Sequence, residues 1–383
     1  MPCASSYNRI DMNGPSYPAA RTVAARLEER INASTMAFQN SGSAPKPDTS
    51  AIEQIITTAF WASLRREEGH VPKISIAFLP PEQSLRPLKF NPRVPLDADL
   101  LARIAPAVEK PGIHIGVWSY DNKLDVWGIT RTVPMWCFVL EVVGPGLLVV
   151  KYRRDEPSTK FANIAVLEGA DVKFIAKQLI SESPRALGSL LAFYSSAGRN
   201  ESDNLLVRVA VAMRAHGRGG SLLVVPRSTR EWLDSTVQPI TYSLIPPFPD
   251  IATFLEQKER GLEGSLITLQ SAVDALAGLT AVDGATVISD HFEPLAFGAK
   301  ILTRDGVHRV EQILLTEPIE GVPDRTVDPA HLGGTRHLSA AQFAHDQRDA
   351  IALVASQDGR FTVFGWSSTR GMVHAHRLEA LLI

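Results

Sequence analysis

The sequence predicts a β-rich α+β domain over residues 51–182 and an α/β domain with a mixed central sheet flanked by helices over residues 185–383. Three observations support this fold class. A length of 383 residues favours more than one hydrophobic core. Short strand-like runs dominate the first half of the chain. The second half mixes helix-like and strand-like segments, which is typical of an α/β domain.

Residues 1–50 are predicted to form a partly flexible N-terminal segment, because Ser, Pro, Asn and Gly are frequent there. One helical patch, AARTVAARLEERI, interrupts this composition. The following segment, 50–68, has apolar residues at helical spacing. Ser50 is its predicted N-cap, with Glu53 three residues later as in a capping box.

The first domain continues with six strand-like runs: KISIAFL, IHIGVWS, LDVWGIT, WCFVLEVV, LLVVKYR and NIAVLEG. Turns are predicted at 121–123 (DNK) and 144–146 (GPG). The most apolar stretch, 133–150, contains Glu141 and the Gly-Pro-Gly break. It therefore predicts two buried strands and not a membrane span.

The second domain begins with helix-like segments and then alternates between strand-like and helix-like segments. The predicted helices are SPRALGSLLAFYSS, NLLVRVAVAMRAH and ITLQSAVDALAGLTAV. The predicted strands are GGSLLVVPRS, ATVIS, LAFGAKIL, AIALVAS and FTVFGWS, and DGR (358–360) is predicted to be a hairpin turn.

Composition excludes several classes of protein. Hydrophobic residues make up 45% and charged residues 21%, an ordinary globular balance. The net charge of −2 provides no basic field for a nucleic-acid partner. Cys3 and Cys137, the two cysteines, exclude a disulfide framework. The N-terminal residues lack a charged start followed by a long apolar run, the pattern of a signal peptide. The sequence therefore predicts a cytoplasmic protein without a membrane span.

The first stretch that suggests chemistry is Asp283-Gly284-Ala285, which follows a helix-like stretch and directly precedes the strand-like run ATVIS. A carboxylate at such a junction can bind a divalent metal or accept a proton. The small residues after it let phosphates approach the backbone. Taken alone, the Asp-Gly pair is better explained as a turn.

The second stretch is GGTRHLSAA, residues 333–341. Gly333 and Gly334 permit a backbone nest, and Thr335 offers a hydroxyl as helix N-cap or phosphate donor. Arg336 supplies a guanidinium for phosphate oxygens, and His337 can donate a hydrogen bond or ligate a metal. A helix start adds free N–H groups. Taken alone, ordinary helix capping explains this stretch.

Together, in this order, the two stretches resemble the diadenylate cyclase domain, which carries a DGA motif at a helix–strand junction and a GTRHR motif at a later helix start. The resemblance covers about residues 190–383. Three neighbouring segments are similar to segments of that family: HGRGGSLLVVP, LAFGAKI and RDAIALVASQDGRFTVF.

The resemblance implies that two ATP molecules are joined into cyclic di-AMP between facing domains of a homodimer or higher homo-oligomer. It assigns catalytic roles to Asp283, Arg336 and His337. It implies Mg²⁺ or Mn²⁺ as cofactor, bound by Asp283 and Asp358. It places the nucleotide against Gly284, Ala285, Gly298, Gly334, Thr335, Arg336 and Ser356. The first domain would then be a sensor or regulatory module.

Three departures from the family pattern bear on activity. Leu338 stands where the family has a third basic residue, and Lys300 and Arg304 are the two candidates to compensate. Gln357 stands in place of a Glu. If that Glu helps to bind metal, either Asp358 takes over as ligand or the metal affinity falls. The segment 305–332 is longer than usual and is expected to add a helix or strand beside the site.

The residues also allow three other functions. The chain can be a catalytically weak nucleotide-binding sensor, a cyclase using another nucleotide, or a structural interaction protein. His374 and His376 are expected to be a solvated pair and not a zinc site, since no third ligand is evident. Trp118, Trp127 and Trp136 are expected in the core.

Overall fold

A computed structural model describes the chain over residues 15–36, 44–153, 161–176, 201–244, 251 and 266–382. The chain divides into two compact units, residues 1–175 and 176–383. The predicted helix SPRALGSLLAFYSS lies outside the described residues, as does much of the predicted flexible segment.

The first unit is built on an eight-stranded sheet of order β2-β4-β3-β1-β5-β6-β7-β8. Its strands are β1 (Ile74–Phe78), β2 (Leu88–Pro95), β3 (His114–Tyr120), β4 (Lys123–Thr130), β5 (Phe138–Gly144), β6 (Leu147–Arg153), β7 (Phe161–Glu168) and β8 (Asp171–Phe174). Neighbouring strands are antiparallel except β1 and β3, which pair in parallel.

Helices cover one face of this sheet: α1 (Pro18–Met36), α2 (Thr49–Ser63) and α3 (Ala98–Ile104). Alternate residues of each strand point to opposite faces, so Ile74 and Ile76 join the helices in the main core. Ala77 points the other way and packs with Trp127 and Val139. The predicted β-rich α+β character of the N-terminal half is confirmed.

The predicted cap of α2 is wrong by two residues. The helix begins at Thr49, and Asp48 is its N-cap, with a carboxylate oxygen 2.8 Å from the Ala51 N–H. Ser50 is already helical. Asp and Ser cap equally well, so the sequence alone did not decide between neighbouring candidates.

The six predicted strands are present, whereas the two outer strands β2 and β8 were missed. Strand β2 is polar, exposed along most of its length and contains Pro92. It lies at the sheet edge and pairs with β4 alone, where a proline does not break a ladder on both sides. An edge strand lacks the apolar alternation on which the prediction depends.

A buried histidine makes the first unit sensitive to acid. Burial lowers the pKa of His114 from 6.5 to about 4; Glu141 opposes this shift and Lys151 adds to it. His114 Nδ1 lies 2.7 Å from Ser75 Oγ. The unfolded chain therefore binds more protons than the folded one between these pKa values, and stability is lost as pH falls through this window.

We expect the free energy of unfolding to drop by about 2 kcal/mol from pH 7.5 to pH 5 on account of His114. Urea denaturation at both pH values, in the wild type and in His114→Gln, measures this. Glutamine does not titrate but keeps a hydrogen-bonding group beside Ser75. An equal pH-dependent loss in both proteins would show that His114 is not responsible.

The second unit is built on a nine-stranded sheet of order β10-β12-β11-β9-β15-β16-β17-β13-β14. Its strands are β9 (Gly220–Val225), β10 (Tyr242–Ser243), β11 (Ala285–Ser289), β12 (Pro294–Ala299), β13 (Ile313–Thr316), β14 (Arg325–Val327), β15 (Ile351–Ala355), β16 (Phe361–Ser367) and β17 (Met372–Arg377). The sheet is mixed, because β9–β11 and β13–β17 are parallel and the other pairs antiparallel.

Helices lie on both faces of this sheet: α4 (Glu201–Ala215), α5 (Leu266–Thr280) and α6 (Thr335–Asp346). Leu223 of β9 packs with Phe343 of α6 in one core. Gly220 points to the opposite face, where a Cβ on it would lie 2.4 Å from the Thr280 carbonyl oxygen at the end of α5. The predicted mixed sheet flanked by helices is therefore observed.

The long segment 305–332 forms two strands at the far edge of the sheet, β13 and β14, and a short 3₁₀ turn. Three strands separate β13 from β9. The expected solvated pair in β17 is wrong: His376 is buried and His374 is half-buried, with the rings 3.9 Å apart. The His374 ring also contacts the neighbouring strand β13, with Nε2 2.6 Å from Thr316 Oγ1.

Two of the three tryptophans lie in the core of the first unit, as expected. Trp127 and Trp136 are buried, and Trp118 packs half-buried against Phe78. The Trp127 indole N–H donates to the Leu79 carbonyl at 2.7 Å, which satisfies its polar group inside the core.

Candidate functional site

The two stretches that the sequence singles out meet at one edge of the second sheet, the edge formed by the ends of its central strands and not by an outer strand. Ala285 pairs with Ser221 of β9 and with Ala299 of β12. Gly220 in turn pairs with Ala355 of β15. The beginnings of β9 and β11 and the ends of β12 and β15 therefore lie side by side, and the loops that leave them share one surface.

Two glycines allow a close approach of main chains at this edge. Gly284 has φ +103°, and a Cβ on it would lie 2.5 Å from the carbonyl carbon of Gly298. Gly298 has φ +66°. Both conformations favour glycine, and neither position has room for a side chain. Ala285, the third residue of the motif, is buried in the sheet.

Asp283 stands exposed immediately before these glycines. Among the residues that the structure describes, its carboxylate has no hydrogen-bond or ion-pair partner. Its main chain is fixed by the strand that follows, while its charge is available to a ligand. Such a carboxylate suits a hard cation or a proton.

Arg336 extends from α6 toward the same edge and is half-buried. A Cβ on Gly219 would lie 3.1 Å from Arg336 Nη1 and 3.2 Å from the Ala355 carbonyl oxygen. The guanidinium thus lies beside the residue that precedes β9. Asp283 occupies the matching place before the adjacent parallel strand β11, and neighbouring strands are about 5 Å apart.

The helix that carries Arg336 begins with open N–H groups. Gly334 is the N-cap, and no side chain caps the helix. Thr335 is the first helical residue and is exposed, so its expected role as N-cap is wrong. The N–H groups of Thr335 and Arg336 precede the first intrahelical bonds, which makes this end a favourable place for an anion.

His337 points inward from the same turn. It is 3% exposed, and its ring packs edge-on against Phe364. A Cβ on Gly333 would lie 2.5 Å from His337 Nδ1, so the ring also lies tightly against the glycine turn. Burial lowers the pKa of His337, and Arg377 lowers it further, so the neutral imidazole is favoured.

The hairpin between β15 and β16 borders the site. The predicted DGR turn is present: the Ser356 N–H donates to the Arg360 carbonyl at 2.9 Å, and Gly359 has φ +84°. Ser356 is half-buried. The Gln357 side chain donates to the Arg218 carbonyl at 3.3 Å, which ties this hairpin to the loop before β9.

Asp358 is oriented by its own hairpin. Its carboxylate accepts from the Arg360 N–H at 3.3 Å and lies 3.4 Å from Arg360 Nε. More than half of this side chain is exposed. Within the described ranges no three His, Cys, Asp or Glu side chains gather as a metal cluster.

Of the two cations expected to compensate for Leu338, one lies elsewhere. Arg304 lies near the opposite end of β9, 3.4 Å from Asp234, and its N–H donates to Asp346 at the end of α6. This expectation is wrong for Arg304. Lys300 follows Ala299 directly and is exposed at the candidate edge.

Sequence reasoning missed two residues at this edge. Gly219 has φ +70°, and because it has no side chain it leaves space for the Arg336 guanidinium. The Gly-Arg-Gly-Gly run at 217–220 is the signal that could have identified it. Tyr242 lies beside Gly298, where a Cβ would be 2.9 Å from the ring. A two-residue edge strand has no periodic pattern, so no signal identified Tyr242.

Comparison with known proteins concerns mainly the first unit. Residues 41–131 match the family model of the probable sensor domain DACNV. This sensor domain is the N-terminal sensor domain of diadenylate cyclases. The match spans α2, α3 and β1–β4 of the first unit. No family model of a diadenylate cyclase catalytic domain matches, and no curated protein matches the chain.

One solved structure similar to part of the chain is described as a hypothetical membrane spanning protein from Bacillus cereus. It is 15% identical, with a TM-score of 0.28, and the alignment covers 50% of this chain and 70% of that one. A similarity this weak supports no conclusion about the fold or the function of this chain. In the described part of this chain, no helix is both long and apolar enough to cross a bilayer.

Proposed function

We propose that this chain is a diadenylate cyclase regulated by its N-terminal sensor unit. The observation that carries the proposal is the meeting of Asp283-Gly284 and Gly334-Arg336 at one sheet edge. The sensor-domain match over residues 41–131 supports it independently, because that domain is associated with diadenylate cyclases.

The triphosphate binds at the start of α6. The open N–H groups of Thr335 and Arg336 and the positive end of the helix attract phosphate oxygens. The Arg336 guanidinium provides charge-assisted hydrogen bonds to the same group. Buried and neutral, His337 supports the Gly333–Gly334 turn from within and does not contribute a cation.

The residues present fit a divalent cation. Mg²⁺ is commonly held by one or two carboxylates together with substrate phosphates, and Asp283 offers an exposed carboxylate without a protein partner among the described residues. Asp358 is the second candidate ligand. Bound Mg²⁺ or Mn²⁺ would neutralise charge on the reacting phosphate. Asp283 also helps activate the ribose 3′-hydroxyl.

Each ribose 3′-oxygen attacks the α-phosphorus of the other ATP. A phosphodiester bond forms, the bond to the β-phosphate breaks, and pyrophosphate leaves. Positioning and electrostatic stabilisation account for most of such a phosphoryl-transfer reaction. Because one site binds one ATP, two copies must face each other across a two-fold axis. A strictly monomeric variant is therefore expected to bind ATP without making product.

Incubation of the full chain with ATP and Mn²⁺ or Mg²⁺, followed by mass detection, tests the proposal. Cyclic di-AMP with two equivalents of pyrophosphate is the expected result. ATP binding without product would favour a nucleotide-binding sensor. Product from GTP or from mixtures would favour a cyclase of other specificity. Absence of any nucleotide binding would leave a structural interaction protein.

Two observations favour the alternative of a catalytically weak nucleotide-binding sensor. Leu338 is 39% exposed at the helix start, where the family resemblance implies a cation. Gln357, in place of a Glu, is bonded to the Arg218 main chain and offers no charge to a metal. Both departures reduce the charge available at this edge, and the turnover assay measures their consequence.

Replacing Arg336 by alanine should raise the KM for ATP roughly 10- to 100-fold, through loss of a charge-assisted hydrogen bond. Initial rates over a range of ATP concentrations measure this. Arg370→Ala, which removes an exposed guanidinium at the β16–β17 turn, is the charge-matched control and should behave as wild type. An unchanged KM in Arg336→Ala would remove Arg336 from the site.

A further inference from the structure

An exposed aromatic pair stands at the same sheet edge. Tyr242 of β10 stacks on Phe297 of β12, with ring centroids 4.7 Å apart and planes inclined by 8°. Tyr242 is nevertheless 47% exposed. Phe297 and the cross-strand pairing hold the tyrosine ring in place while much of its surface faces solvent. A fixed, flat and exposed ring is suited to stacking against another flat group.

A bulge in β12 brings this ring close to Asp283. Between Ala285↔Ala299 and Val287↔Ala296, β12 has one residue more than β11. Such bulges redirect side chains and are frequent beside active sites. A Cβ on Gly298 would lie 2.9 Å from Tyr242 Cδ2 and 3.4 Å from the Asp283 carbonyl oxygen. Tyr242 and Asp283 therefore flank the same glycine.

The order of strands in the sheet places the Tyr242 ring apart from the Arg336 guanidinium, the proposed phosphate-binding cation. Gly298, beside Tyr242, belongs to β12, whereas Gly219, beside Arg336, precedes β9. Strand β11 and Asp283 lie between them. Two strand spacings amount to about 10 Å within the sheet. The two groups also approach this edge from different faces, because Phe297 lies beside α5, whereas Arg336 belongs to α6. A nucleoside triphosphate has its base at one end, its terminal phosphates at the other and the reacting ribose and α-phosphate between them.

We propose that Tyr242, backed by Phe297, is the platform on which the base of the bound nucleotide stacks. This inference rests on the proposed function, since it assigns the base end of the same site. Stacking on an aromatic ring stabilises any base, because every base has a π face. Tyr242 therefore contributes affinity for the nucleotide and not a choice between adenine and guanine.

Binding of 3′-deoxy-ATP tests the platform, since this nucleotide lacks the attacking hydroxyl and is not turned over. Titration calorimetry with Mn²⁺ present should give a roughly ten-fold higher Kd for Tyr242→Ala, the loss of one base–aromatic contact. Tyr242→Phe, which keeps the ring, should bind as wild type. 3′-Deoxy-GTP should be weakened by Tyr242→Ala to the same extent.

Inorganic tripolyphosphate separates the two ends of the site. It carries phosphates without a base, so Tyr242→Ala should leave its affinity unchanged, whereas Arg336→Ala should weaken it. Tyr120→Ala removes a half-buried tyrosine of the first unit that packs against Arg93, and it is the control for a general effect of losing a tyrosine. Its affinity for 3′-deoxy-ATP should equal that of wild type.

The outcomes distinguish the inference from the proposed function. Wild-type protein that fails to bind 3′-deoxy-ATP overturns both. Wild-type binding with equal affinity in Tyr242→Ala overturns the platform alone. If Tyr242→Ala changes the oligomeric state in sedimentation and leaves the Kd per site unchanged, the ring belongs to a subunit interface, and the platform is again overturned.

Discussion

Asp283→Asn should abolish the synthesis of cyclic di-AMP while leaving the fold intact. The substitution keeps the shape of the side chain and removes the charge that would bind a divalent cation and help activate the 3′-hydroxyl. We expect turnover to fall on the order of 1,000-fold or more, as for loss of a metal ligand or a charge-stabilising group at a phosphoryl-transfer site. Product measured by mass at saturating ATP and Mn²⁺ is the readout.

Stability should not change in this variant. Asp283 is exposed, and its carboxylate has no partner within the described ranges, so the free energy of unfolding should stay within about 0.5 kcal/mol of wild type. Asp274→Asn is the matched control, since Asp274 is an exposed carboxylate on α5 that accepts from Gln270 at 2.9 Å. Comparable product from Asp283→Asn and Asp274→Asn would refute the role of Asp283.

Gly284→Ala should cost both stability and activity. A methyl group at this position would lie 2.5 Å from the Gly298 carbonyl carbon, and φ +103° is unfavourable for alanine. Backbone strain and the clash with main-chain atoms together should lower the free energy of unfolding by about 3 kcal/mol or more. The contact between β11 and β12 must open, which shifts the Asp283 main chain relative to Gly298.

Gly278→Ala is the control for this effect. Gly278 lies in helix α5, is exposed and has no atom within 4 Å of a Cβ, so alanine should stabilise the helix by about 0.5–1 kcal/mol. Urea denaturation of both variants measures the difference. If Gly284→Ala were as stable as wild type, the close approach of Gly284 and Gly298 would not be a feature of the folded protein.

Strands with apolar sequences bounded by turn residues were predictable in both units. The pattern of β15 and β16 with Asp358-Gly359-Arg360 between them indicated a hairpin, because strand formation and the turn both depend on local residues. Strands β2, β8, β10 and β17 were not predicted, and for β13 and β14 the sequence indicated only an added helix or strand in 305–332. All but β17 lie at or next to sheet edges, where burial on one or both sides no longer imposes an apolar alternation. In β17, histidines occupy alternate positions where an apolar residue would mark a buried strand.

Among the site residues, too, the sequence indicated some features and not others. The sequence singled out Asp283 and Arg336 by residue type and by their order along the chain. It did not indicate that His337 is buried while its neighbour Arg336 is half-exposed. Which face of a helix meets the core depends on how the helix packs on its sheet, and α6 packs with the side of His337 toward Phe364.

The sequence by itself determined the residue types available for chemistry: a carboxylate before two small residues, and a glycine-flanked helix start with a guanidinium. These depend on local backbone preferences and on charge, both of which neighbouring residues specify. Only the tertiary structure decided that they share one edge, that Arg304 lies at the other end of the sheet and that Tyr242 joins Asp283. Strand order and register bring together residues distant in sequence, and the burial of the whole sheet fixes both.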